Sequence, residues 1–223
     1  MTVTVDALST MLHAQGIGEL PVAIRPGPVW RDPDGNRDAE AAAWTEFREV
    51  GWVDRDGRLV TDAQDSLHVV AHPALEYTAI IVRAGRQHVV VVAARGDDSV
   101  VIRREGGAVT LSGQRRQSLP ETLLRQIPDA RPAPIDALNV RSADAPGALV
   151  ELSRRRLVGQ GELYVGMRDR YGRVRVSDPI RYQDYEIGRV VVVISGDYVS
   201  VAPATKALLL ARLNEDRLAI EGA

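Results

Sequence analysis

Val89-Val-Val-Val-Ala-Ala-Arg-Gly-Asp97 and Val190-Val-Val-Val-Ile-Ser-Gly-Asp197 decide how this chain is read. Each is a valine run that ends in a Gly-Asp turn, and the turns at Gly96 and Gly196 lie 100 residues apart. An unbroken apolar run this short, made of β-branched residues, suits a strand covered on both faces. After each turn the sequence continues with another strand and then a Leu-rich helix, so each Gly-Asp turn is expected to close a hairpin at the same point of its half. Self-similarity at a fixed spacing indicates internal duplication. A duplicated unit of this kind pairs its sheets about a pseudo-two-fold axis. The expected fold class is α+β: a quasi-two-fold arrangement of two related halves around a central antiparallel β-sheet with flanking helices.

Working outward, Asp6 is placed to cap a helix through about Gln15 that ends at Gly16. Leu20–Arg25 reads as extended and Pro26–Asn36 as turns, including Asp32-Pro-Asp-Gly35. Ala41, Trp44, Phe47 and Val50 recur at helical spacing between Arg37 and Val50. Asp54-Arg-Asp-Gly57 is a turn, and Asp62 opens a helix that Pro73 should end. Strands follow at Leu75–Val82, Val89–Ala94, Val100–Arg104 and Ala108–Ser112, with tight turns at Arg83-Ala-Gly-Arg86 and Gly106-Gly107. Pro120 starts a helix carrying Leu123, Leu124 and Ile127. This order argues for helices on one side of the sheet.

The stretch 128–147 holds Pro128, Pro132, Pro134 and Pro146 and reads as a link between halves 1–128 and 147–223 of one domain spanning 1–223. Beyond it the pattern predicts a helix at Ala148–Leu157 and strands at Glu162–Arg168, Arg173–Ser177, Val190–Ile194 and Tyr198–Ala202. A final helix is opened by Pro203.

Composition narrows the function. The 223 residues carry Lys+Arg 28 against Asp+Glu 30, a net charge of −2, so there is no basic footprint for nucleic acid. The runs Arg154-Arg-Arg156, Arg103-Arg104 and Arg115-Arg116 read as solvated faces or partner contacts, since few aromatics are present to stack bases. Zero cysteines removes disulfides, thiolate zinc sites and cysteine nucleophiles. Lys206 is the sole lysine among the 28 basic residues, a bias that points to a GC-rich bacterial genome. The N-terminus carries Asp6 and no cation ahead of its apolar residues, unlike a signal peptide. The longest apolar runs fall far short of the roughly 20 residues of a membrane span. A soluble cytoplasmic protein with no membrane span is the expectation.

No catalytic or metal-binding constellation emerges. His68, His72 and Glu76 are spaced four apart, but Pro73 should break the helix that would stack them, and Val69 stands where a zincin motif needs Glu. Asp54-Arg-Asp-Gly57 lacks the later glycine and terminal Glu of a calcium loop. Gly16-x-Gly18 and Gly159-x-Gly161 do not continue into phosphate-binding patterns. No G-x-S-x-G elbow is present. The chain is read as no enzyme, with no cofactor and no metal, working through the shape of its surface; arginines suit such a surface better than lysines.

The ordered set Leu67-His-Val-Val-Ala-His-Pro73 with Glu76, Val91-Val-Ala-Ala-Arg-Gly-Asp97, Val100-Val-Ile-Arg-Arg-Glu-Gly-Gly-Ala-Val-Thr-Leu111, Asp184-Tyr-Glu-Ile-Gly-Arg189 and Gly196-Asp-Tyr-Val-Ser-Val-Ala-Pro-Ala-Thr205 resembles the EspG family. These are cytoplasmic chaperones of actinobacterial type VII (ESX) secretion systems. The resemblance implies a quasi-two-fold α+β fold and a partner, the PE–PPE heterodimer, bound through the helical tip of the PPE protein and kept soluble for secretion. It also implies contacts from the sheet, from the loop after the first long strand and from the C-terminal helical region. Here these are Arg83, Arg86 and His88, and Leu209, Arg212 and Leu213, with core packing the competing reading for Leu209 and Leu213. The Arg83-Ala-Gly-Arg86 turn is tight where the family often has a longer loop. The alternative left by the residues is a self-associating structural protein whose duplicated sheet forms a homodimer.

Overall fold

The structure, a computed structural model, describes residues 1–115, 118–168, 172 and 174–222. Arg116, in one of the basic runs, and Arg173, at the head of an expected strand, lie outside the described residues.

The chain opens with β1 (Thr2–Thr4) and α1 (Val5–Ala14). The α1 cap is Thr4, whose hydroxyl accepts from the Ala7 amide at 3.1 Å, and not Asp6, which falls inside the first turn. A single 3₁₀ turn, Val22–Ile24, interrupts the expected extended piece. Helix α2 (Pro33–Glu49) begins earlier than the apolar spacing predicts. Asp32 caps it by accepting from the Gly35 amide at 2.7 Å and Pro33 sits in its first turn, so the presumed Asp32–Gly35 turn is the start of a helix. Helix α3 (Thr61–Ala71) stops just before Pro73, as the sequence requires.

Four strands follow: β2 (Leu75–Arg83), β3 (Arg86–Arg95), β4 (Asp98–Glu105) and β5 (Ala108–Arg115), then the short α4 (Leu119–Leu124). The second half runs β6 (Leu138–Arg141), α5 (Ala145–Ala148), α6 (Val150–Ser153), β7 (Leu157–Arg168), β8 (Val174–Val176), β9 (Ile180–Tyr185), β10 (Gly188–Ser195), β11 (Tyr198–Pro203) and α7 (Lys206–Glu221). Three expectations change here. The Pro-rich stretch contributes a strand, β6. The helix expected at Ala148–Leu157 is two single turns, because β7 already begins at Leu157. Strand β9 went unrecognised, since Arg181, Gln183 and Asp184 dilute its apolar pattern.

Among the described residues the strands form one eleven-stranded sheet, in the order β1-β5-β4-β3-β2-β7-β9-β10-β11-β6, with β8 beside β7. Every named ladder is antiparallel. The order is a palindrome about the β2–β7 seam. Moving outward, β3 matches β9, β4 matches β10, β5 matches β11, and each half's first strand, β1 or β6, pairs with its last. The two halves are therefore related as expected, but the hundred-residue match joins strands that are not equivalent. Gly96-Asp97 turns β3 into β4, whereas Gly196-Asp197 turns β10 into β11, whose counterpart is the β4–β5 hairpin at Gly106-Gly107. Valine runs mark any interior strand with two covered faces, so they signal burial and not position in a repeat.

Helices lie on both faces, not one. On the first face α4 and α7 cover the seam itself: Leu123, Leu124, Leu209 and Leu213 pack onto Tyr77, Ile81, Val90, Leu163, Val165 and Tyr182. On the second face α1, α2 and α3 cover β3–β5 through Leu8, Met11, Leu12, Phe47, Leu67 and Val70, against Val89, Val91, Ile102 and Val109. A smaller cluster on the second half joins Ala133 and Leu152 to Val190 and Val201.

Candidate functional site

The helices of the second face pack on β3–β5 and on β10–β11, leaving β2, β7 and the broken strand β8–β9 without a helical cover. Register places the following side chains on that open strip: Glu76, Thr78, Ile80 and Val82 from β2; Gln160, Glu162, Tyr164 and Arg168 from β7, with Gly166 among them; Val174, Val176, Arg181 and Gln183 from β8–β9. Strands lie about 4.8 Å apart, so the three-stranded floor measures about 10 Å between its outer strands. That width matches the roughly 10–12 Å diameter of one α-helix. The strip is a trough with helical walls on either side.

Its two ends differ. At the N-terminal end of β2 it deepens into a groove of about 610 Å³, lined by the 18–25 segment, His72, Pro73, Glu76, Thr78, Ile80, Gly166, Met167 and Arg168. The rim is apolar and open to solvent: Val22 is 82% exposed, Val176 57% and Val174 52%. At the other end the β2–β3 hairpin stands beside the start of β7 over a shallower depression of about 450 Å³, lined by residues 82–85 and 156–160.

Electrostatics grade the floor. In the middle, the Tyr164 hydroxyl donates to Glu162 Oε2, and Arg181 Nε donates to Glu162 Oε1 at 2.9 Å. The hydroxyl bond first, and then the arginine, hold the Glu162 carboxyl below its usual value, while burial and this bond push Tyr164 up to about 12. At the groove end, burial raises Glu76 against an opposing pull from Arg168. Glu76 lies opposite Gly166, where even a Cβ would come within 2.9 Å of its carboxylate. Among the described residues the Glu76 carboxylate makes no hydrogen bond or ion pair. His72 is occupied elsewhere, with Nε2 donating to the Ile17 carbonyl at 2.5 Å. His68, His72 and Glu76 thus belong to a helix, a helix end and a strand, and among the described residues no group of three or more His, Asp or Glu is assembled to hold a metal.

The six contact residues expected from the sequence do not share one surface. Arg83 and Arg86 face each other at the exposed hairpin tip; Arg83 borders the shallower depression but shares the side of β2 that Ile81 presents to the α4–α7 face. His88 is half-buried and pairs with Ile81 and Glu105, which turns it toward the α4–α7 face and away from the trough. Leu209 and Leu213 are 1% and 0% exposed, in the core beneath α7; contact with a partner would require that helix to leave the sheet. Arg212 faces outward on the same helix and pairs with Glu215 at 3.0 Å.

The trough itself escaped sequence reasoning, although the polar Glu76 and Thr78 alternating with Tyr77 and Ala79 signal that one face of β2 is not packed like the other; Thr78 is nonetheless buried. Gly159-x-Gly161 has a packing role: a Cβ at Gly161 would lie 2.6 Å from the Tyr182 ring.

The EspG family model matches residues 4–215. The chain belongs to the EspG family. Its structure is similar to that of the type VII secretion system chaperone EspG5 of Mycobacterium tuberculosis, solved in complex with the PE25–PPE41 dimer. The TM-score is 0.70 at 20% identity, over 97% of this chain and 95% of that one, so what the two share is the fold. No curated protein sequence matches. The EspG match spans both halves and the seam between them, and the α+β class with its central antiparallel sheet is as expected. Among the described residues no helix is long and apolar enough to cross a membrane.

Proposed function

We propose that this EspG protein is a cytoplasmic chaperone of a type VII (ESX) secretion system, without catalytic activity, that binds a PE–PPE heterodimer through the helical tip of the PPE protein. Binding keeps the pair soluble until it is delivered for secretion. The observation that carries the reading is the trough along the β2–β7 seam, one helix wide with an exposed apolar end, in a member of this family. An apolar helical tip aggregates unless a concave surface with apolar area of its own covers it, and the trough supplies both features. Arg83 and Arg86, at the hairpin tip beyond its far end, lie on the same side of the sheet as His88 and are proposed to meet the client from that tip.

Co-expression with the PE–PPE pairs of the same genome tests the proposal. The expected result is a soluble ternary complex on gel filtration with a light-scattering mass of one copy of each chain. If every pair stays insoluble and the chain elutes as a homodimer, the chaperone reading is wrong and self-association replaces it.

A further inference from the structure

We propose that Arg104, which has no part in the lining of the groove, is a positioning residue for client binding. It ties down the 17–25 segment that walls the groove on one side, with His72 as the tie at the segment's other end. The proposal rests on the chaperone reading and deepens it by naming a residue outside the groove that sets its shape.

The wall has little regular structure to hold it. Between α1 and α2 it makes one 3₁₀ turn, in which the Ile24 and Arg25 amides donate to the Pro21 and Val22 carbonyls, and its first two amides return to Leu12 of α1. Among the described residues none of its backbone groups bonds to a strand backbone. Ile17, Leu20 and Ile24 are 8%, 2% and 0% exposed and press it onto the core, while Val22 stands at the lip of the groove. Apolar burial is non-directional, so these anchors hold the segment against the molecule without fixing where its lip comes to rest.

Directional bonds fix that, and side chains supply them. Arg104 lies on β4 in the same cross-strand row as Val89 of β3 and Ile80 of β2, and Ile80 lines the groove. Two strand spacings, about 10 Å, therefore separate Arg104 from the floor. Its Nε donates to the Gly106 carbonyl at 3.0 Å, which steadies the guanidinium against its own hairpin. Its Nη1 donates to two wall carbonyls, that of Ile24 at 3.0 Å and that of Arg25 at 2.7 Å. At the other end His72 holds the Ile17 carbonyl, and Gly18 lets the chain pass the imidazole, since a Cβ there would lie 3.1 Å from the ring. Between the ties Arg25 stiffens the segment against itself: Nε and Nη2 donate to the Leu20 carbonyl at 3.3 and 3.0 Å, and Nη2 pairs with Glu19 at 2.9 Å. Among the described residues, Arg104 and His72 are the only side chains outside the segment that hydrogen-bond to it.

A charged donor shared by two carbonyls is a strong tie, and the planar guanidinium aims it. A wall already in place needs no ordering when a client arrives. A wall that wanders must be ordered then, and apparent affinity falls by the fraction of time it spends in position. His72 lines the groove, so its replacement would mix tie with contact. Arg104 does not, so its effect reads as positioning alone.

The chain has no cysteine, so Val22→Cys and Ile194→Cys each provide a single thiol for a nitroxide spin label. The first site is on the wall, and the second is 58% exposed on β10, in the other half of the sheet. Arg104→Met keeps the stem and removes every donor. In the free chain it should add a mobile component to the spectrum at position 22 and leave position 194 unchanged. Arg104→Lys, which keeps a cation but loses the Nε anchor, should add a smaller one. Affinity for the co-eluting PE–PPE pair is measured on the unlabelled variants. Arg104→Met should bind about three- to tenfold more weakly, by the factor that its immobile fraction predicts, and Arg104→Lys should recover part of that loss. An unchanged spectrum at position 22 overturns the tie. A mobile wall with unchanged affinity overturns the positioning role, and equal loosening at positions 22 and 194 overturns it as well. If no pair co-elutes with the parent, the chaperone reading fails and takes the link to binding with it, while the free-chain spectra still decide whether Arg104 holds the wall.

Discussion

Asp184 and Arg189 face each other across the β9–β10 ladder and form a two-pronged ion pair, Nε to Oδ1 at 2.5 Å and Nη2 to Oδ2 at 2.8 Å, with side chains 8% and 5% exposed. The same guanidinium donates to the Pro128 carbonyl at 2.7 Å and lies 4.2 Å from the Tyr182 ring centroid. The Arg189 backbone binds Arg131 and Ala133, so one residue fastens the Pro-rich stretch to the second half of the sheet. Removing one partner of such a pair leaves a buried charge with nothing opposite it. Arg189→Leu should lose about 3–5 kcal/mol of unfolding free energy in a urea titration, and adding Asp184→Leu should recover part of that loss. A single variant as stable as the parent would show that the pair is not structural.

Next to that pair, Gly188 sits at φ +138, and a Cβ there would approach the Ala133 backbone to 2.7 Å. Gly188→Ala is expected to lower the melting temperature more than Gly196→Ala, because Gly196 has no atom within 4 Å of its missing Cβ and incurs only left-handed strain.

Glu76 gives the pH prediction. Burial raises its folded value above the ordinary carboxylate one, so the folded chain holds this proton more tightly than the unfolded chain does. Its contribution to stability is therefore most favourable below the unfolded value of 4.5 and declines as pH rises from there through the raised folded value. Glu76→Gln should melt higher than the parent at neutral pH, and the difference should fade on acidification below about pH 4.5. Calorimetric scans across pH 4–8 check this. A difference that does not change with pH would mean the carboxylate is not desolvated.

Arg83 and Arg86 are exposed and make no ion pair among the described residues. Reversing both to glutamate should weaken PE–PPE binding while leaving the melting temperature of the free chain unchanged. Equal affinity for mutant and parent would remove this turn from the interface.

Leu209 and Leu213 should behave oppositely. Truncating either to alanine should cost about 2–5 kcal/mol of stability, whereas Arg212→Ala on the same helix should stay within about 0.5 kcal/mol. Chemical denaturation separates the two classes.

These contrasts show what the sequence carried. Strands such as β3 and helices such as α3 were legible because burial writes itself into local patterns: a valine run, or Pro73 stopping a helix. Strand β9 was not, because Arg181 and Gln183 face an open floor where no apolar signal is required. The trough was invisible for a related reason. It is defined by which strands the helices leave bare, and that depends on the packing of segments more than fifty residues apart. Leu209 and Leu213 look the same on paper whether a helix buries them or offers them to a partner. The Asp184-to-Arg189 stretch, noticed only as part of a resemblance, has its explanation in the ion pair and the glycine beside it.

The β2–β7 seam divides the floor of the trough between the two halves of the chain: one contributes Glu76, Thr78 and Ile80, the other Tyr164, Gly166 and Arg168. Neither half alone owns more than one bank, so the channel exists only where the two halves meet. The two banks are not walled alike. One wall is built by α1, α2 and α3, the other by the two short turns α5 and α6. An elongated guest meets a different landscape at each end and can lie down in only one direction.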